Sequence, residues 1–101
     1  VEAAGDRPAL GALHVHLLAA SAARGDRGRW EDHMAAARVL LVETGRITLD
    51  MAQAAELAST EARKAGWPDA ARSAAGLAMV QFTRLGRPDD AARCKASMSA
   101  G

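Results

Sequence analysis

Apolar residues recur at helical spacing along this chain, in five runs parted by short breaks that carry glycine. The first predicted helix begins at Pro8, since proline suits an opening turn. Its stripe is Leu10, Leu13, Leu17 and Ala20, and Val15 and Leu18 add a second apolar face. Residues 1–7 read as a flexible lead-in and residues 8–99 as a single all-α domain. The second helix spans about Trp30 to Thr44, with Trp30, Met34, Ala37 and Leu41 in line. Thr48 is placed to cap a third, which runs to about Ala65 with Met51, Ala54, Ala55, Ala58 and Ala62 on one face. Pro68 opens a fourth that reaches Leu85 along Ala71, Ala74, Ala75, Ala78 and Phe82. Pro88 opens a fifth that frays near Ser99. Gly76 lies inside the fourth helix, where a tight helix crossing would account for it.

The breaks carry more information than the helices. Gly66-Trp67-Pro68-Asp69-Ala70-Ala71-Arg72 is echoed by Gly86-Arg87-Pro88-Asp89-Asp90-Ala91-Ala92-Arg93, and looser versions start at Gly45 and Gly28. Each joins a helix stop, a short turn and a helix start rich in small residues. Turns this short make sequential helices antiparallel neighbours.

Phe82-Thr83-Arg84-Leu85-Gly86 followed by Ala91 resembles the tetratricopeptide repeats. In that family an aromatic residue precedes the turn glycine by four positions, and an alanine follows it by five; Gly66 and Ala71 keep the second spacing. The likeness spans residues 8–99 as a pattern and 75–98 as a motif. The chain departs from the family where its first helix usually carries tryptophan and leucine; Ala75 and Ala78 stand there. Its helix pairs are also longer than the family's period of about 34 residues. The resemblance implies a long-helix, TPR-like right-handed solenoid fragment, with a compact bundle as the alternative architecture. It further implies a protein- or peptide-binding scaffold of a regulatory or signalling protein, bacterial in kind. If the first and third helices line its groove, His16, Gln53, Glu56 and Thr60 are exposed there.

Composition narrows the classes. Half of the 101 residues are apolar, and Trp30, Trp67 and Phe82 are the only aromatic rings besides histidine. Alanine fills the gap, which favours close-packed helices and disfavours sheets. A net charge of +1 with interspersed signs provides no footprint for nucleic acid or an anionic membrane surface. No apolar run is long enough to span a bilayer. His14 and His16 interrupt the run Ala9 to Ala23, which argues against a signal peptide. One cysteine, Cys94, makes no internal disulfide and suits a reducing, cytoplasmic setting. The initial valine leads us to expect a fragment of a longer protein.

Few residues gather chemistry. His14 and His16 diverge by about 200° on a helix and cannot hold one metal together. Glu31-Asp32-His33 lacks the Glu-x-x-His spacing of helical metal sites and reads as an acidic helix start. Arg93 and Lys95 flank Cys94, which tends to lower a thiol pKa, but no nucleophile–base pair converges on it. Arg24-Gly25-Asp26 reads as a turn. Arg24, Arg27 and Arg29 beside Trp30 form a basic, aromatic-flanked turn suited to phosphate or an acidic peptide, although helix-end charge complementarity explains it as well. Trp67 either staples two helices or meets a partner.

The expectation is therefore a non-catalytic scaffold with no cofactor or metal. His16, Arg27, Arg29, Trp30, Gln53, Glu56, Thr60 and Trp67 are its candidate contacts. The alternative is a helical bundle that self-associates, as a dimerisation or sensor domain of a regulator.

Overall fold

Three helix ends in this chain close in the same way. Gly25, Gly66 and Gly86 each adopt a left-handed conformation, with φ of 69°, 83° and 73°. The residue after each glycine donates its N–H back across the turn: Asp26 to Ser21, Trp67 to Ala62 and Arg87 to Phe82, each at 2.9 Å. This double-bonded stop satisfies carbonyls the helix leaves unpaired. Gly45, with φ of 63°, donates its N–H to the Leu41 carbonyl four residues back at 2.8 Å.

In a computed structural model, residues 3–45 and 47–100 are described, with side chains at 11–43, 45 and 47–98. They form five helices and no strand: α1 Ala3–Ala23, α2 Arg27–Thr44, α3 Leu49–Lys64, α4 Pro68–Arg84 and α5 Pro88–Ala100. Asp26 caps α2 by accepting from the Arg29 N–H, and Thr48 caps α3 by accepting from the Met51 N–H. Pro68 and Pro88 stand first in α4 and α5.

The helices pack as α1 on α2, α1 on α3, α3 on α4 and α4 on α5. Side chains join α3 to α5 through Glu56 and Arg93, and α2 to α4 through Arg27 and Asp69. The result is two layers, α1, α3 and α5 in one and α2 and α4 in the other, within a slab of 43 × 32 × 16 Å.

Small residues let these backbones close up. One cluster gathers Leu18, Ala58, Ala62, Ala70, Ala71 and Ala74 round Trp30; the other gathers Val15, Ala52, Ala55, Ala78 and Cys94 round Phe82. Ser59 Oγ donates to the Ala71 carbonyl at 2.7 Å, a buried link between α3 and α4.

Four expectations are corrected. Helix α1 starts at Ala3, so residues 3–7 of the expected lead-in are helical and the helix continues through Pro8; Val1 and Glu2 lie outside the described residues. Its core face is Gly11, Val15, Leu18 and Ala22, whereas Leu13 is 50 % exposed and Ala20 is exposed. Both faces of α1 are apolar, and contact with α2 and α3 selects the one holding Val15 and Leu18. The Leu10 side chain and Arg46 lie outside the described residues. At its far end the chain stays helical past Ser99 to Ala100. The tightest glycine contact is at Gly11, where a Cβ would lie 3.3 Å from Leu40 Cβ. At Gly76 it would meet only the flexible end of Met98, at 3.4 Å.

Candidate functional site

The expected contact residues divide among three places. Trp30 is 1 % exposed and belongs to the core, so it is a packing residue rather than a surface one. Half-buried Trp67 meets it edge to face, with ring centroids 6.0 Å apart. Arg27 covers Trp67 at 5.2 Å and pairs with Asp69 and Glu31, both at 2.8 Å. Its hydrogen bond to Asp69 holds that carboxyl below the usual carboxylate range. Arg29 is exposed beside Asp26. Arg27 and Arg29 of the basic turn are thus paired with nearby acids, and Arg27 staples α2 to α4.

On the α1–α3 surface, exposed His16 and Gln53 line one shallow depression with Ala19, Asp50, Ala54 and Leu57, of about 250 Å³. Glu56 is not available there: both its oxygens receive Arg93. Thr60 is exposed and returns its hydroxyl to the Glu56 carbonyl. His14 turns to α2 instead, where its Nδ1 lies 2.9 Å from Nδ1 of His33. Burial, then the charge of His14, then that of Arg29 lower the His33 pKa. Burial also overrides the basic neighbours of Cys94 and pushes its thiol up to about 11. Arg93, which was expected to lower it, is engaged by Glu56 and Asp90.

The larger feature lies on the other layer. The Arg27–Asp69 pair joins residues 42 apart, and further along the same two helices Arg38, Val42, Val80 and Arg84 line one cavity. Along α2, Arg38, Leu41, Val42 and Gly45 share a helical face, as do Leu77, Val80, Gln81 and Arg84 along α4. With Ile47 they line a cavity of about 390 Å³. A second of about 580 Å³ adjoins it through Arg38, Leu77 and Val80, and adds Asp69, Arg72, Ser73, Gly76 and Met98. Together they form a groove between α2 and α4.

Its walls are apolar and its charges are positive. Val42 is 84 % exposed, and Val39 and Val80 are exposed near it. Arg38 and Arg84 have no ion-pair partner among the described residues, and the lining acid, Asp69, is held by Arg27. Gln81, 1 % exposed, lines this cavity, and neither its Oε1 nor its Nε2 has a hydrogen-bond partner among the described residues.

Sequence reasoning missed this groove. One signal was present: Gln81 interrupts the apolar stripe of α4 beside Phe82, and a polar residue at a core position calls for a partner. Another was Val39-Leu40-Leu41-Val42, which encircles α2 and leaves part of the run facing outward. Among the described residues no three His, Cys, Asp or Glu side chains gather as a metal site, and no helix is long and apolar enough to cross a membrane. Compared with family models, curated proteins and solved structures, the chain matches none.

Proposed function

We propose that this chain is a non-catalytic, TPR-like helical scaffold that binds a protein or peptide partner, and that the α2–α4 groove is its binding face. The observation that carries the reading is the exposure of Val42 and Val80 along a groove with apolar walls. Contiguous exposed apolar surface rimmed by charge is characteristic of interaction sites. The repeated glycine stops and the alternation of helices between two layers support the scaffold part, since stacked helical hairpins have this organisation. This reading puts the binding face on α2 and α4, whereas the resemblance implied the first and third helices.

Selection from a displayed library of random peptides on the whole chain tests the reading. Bound peptides should be lost from the Val42→Asp and Val80→Asp variants, whose exposed positions leave the fold intact. Sedimentation over a range of concentrations runs beside it. A chain that takes no peptide and dimerises through these valines supports self-association instead.

A further inference from the structure

Gln81 is the side chain among the described residues whose burial nothing in the fold explains. A buried amide with both its donor and its acceptor unpaired carries the desolvation cost of each. Helix α4 could hold an alanine or leucine there without that cost, as it does at Ala74 and Ala78. The carboxamide presents one C=O and two N–H groups, which complement the N–H and C=O of a peptide group. It lines the cavity with its amide nitrogen and oxygen closed to solvent, so a ligand between the helices pairs with it once the side chain swings outward.

Beyond Gln81 the groove has two further demands. Val42, Ile47, Leu77 and Val80 offer an apolar slot. Arg38 and Arg84 hold charges that no described acid neutralises. A basic segment would be repelled, and a purely apolar one would leave both guanidinium groups unmatched. The adjoining second cavity makes the groove elongated, which suits an extended chain better than a compact molecule.

Resting on the binding-scaffold reading, we propose that the α2–α4 groove takes an extended peptide in which a bulky apolar side chain neighbours a carboxylate. The apolar side chain fills the slot between Val42 and Val80. The carboxylate meets Arg38 and Arg84, and the peptide group between them pairs with Gln81. Gln81 is then the residue that selects a backbone entering the groove from one lying across it.

The peptides recovered from the random library carry the test. They should be enriched in an apolar residue beside aspartate or glutamate. Replacing that acid by its amide, or introducing Arg84→Glu, should weaken binding by about tenfold or more, with a steep salt dependence. Gln81→Leu should raise the thermal midpoint of the free chain while weakening the same peptides by about tenfold. Basic or acid-independent binders overturn the proposal and leave the scaffold reading standing. So does a Gln81→Leu variant that is stabilised with affinity unchanged, which makes Gln81 a packing fault only. Recovery of no peptide at all removes both.

Discussion

Trp30 and Trp67 meet edge to face with their ring centroids 6.0 Å apart, one ring buried in α2 and the other half-exposed in the turn before α4. The contact locks the start of α2 to the start of α4, and Arg27 closes over it. The two rings should therefore differ in cost. Trp30→Ala leaves a cavity among alanines too short to fill it and should destabilise by about 3–5 kcal/mol. Trp67→Ala loses half a burial and one ring contact, about 1–2 kcal/mol. Urea titrations of both variants measure the difference; equal losses would deny the core role of Trp30.

His14 and His33 share one hydrogen bond between ring nitrogens. One ring must donate and the other must present a lone pair, so two imidazolium ions cannot keep it. The lowered pKa of His33 means that the folded state prefers its neutral ring. Its contribution is fully present above the free-imidazole value of about 6.5 and is lost as pH falls through the folded value. Asp69 and Asp90, lowered by Arg27 and Arg87, lose their stabilisation only at more acidic pH. The thermal midpoint should be flat from about pH 8 to 7 and fall as the pH drops below about 6.5. His33→Gln should flatten that segment, and an unchanged profile would contradict it.

Cys94 is buried against Phe82 and its thiol is held up to about 11. At neutral pH it is both inaccessible and protonated, and thiolate is the reactive form. An alkylating reagent at pH 8 should label the folded chain at the rate of its unfolding, and label the urea-unfolded chain at once. Fast labelling without denaturant would show an open α4–α5 contact.

Gly76 faces only the end of Met98 in a helical conformation. Gly76→Ala should therefore stabilise by up to about 1 kcal/mol, the ordinary helical gain. The same change at Gly11 meets Leu40 Cβ at 3.3 Å, which should cancel much of that gain. Thermal midpoints of the two variants give the comparison.

The helices and their turns were legible because their causes are local. A glycine that must turn left-handed, a proline at a first turn and Thr48 before Leu49 each act within a few residues. Trp30, Met34 and Ala37 on one stripe fell where their period put them. For α1 the period was ambiguous, since Leu13 and Val15 both belong to apolar faces and only the approach of α2 and α3 separates them. The groove was not legible for a similar reason. It joins Arg38 and Val42 to Val80 and Arg84 across an intervening helix, through a layer that forms only when α3 packs against both α1 and α4. Burial likewise reversed the expectation for Cys94, whose sequence neighbours suggested a lower pKa than its packing permits.

The central claim is that the α2–α4 groove is where a partner binds. Amide chemical-shift mapping with a library-selected peptide tests it most directly. A binding groove requires the perturbed amides to cluster about Arg38, Val42, Leu77, Val80 and Arg84, with the Gln81 side-chain amide shifting as well. Perturbations gathered instead round His16, Gln53 and Leu57 on the α1–α3 surface would contradict it.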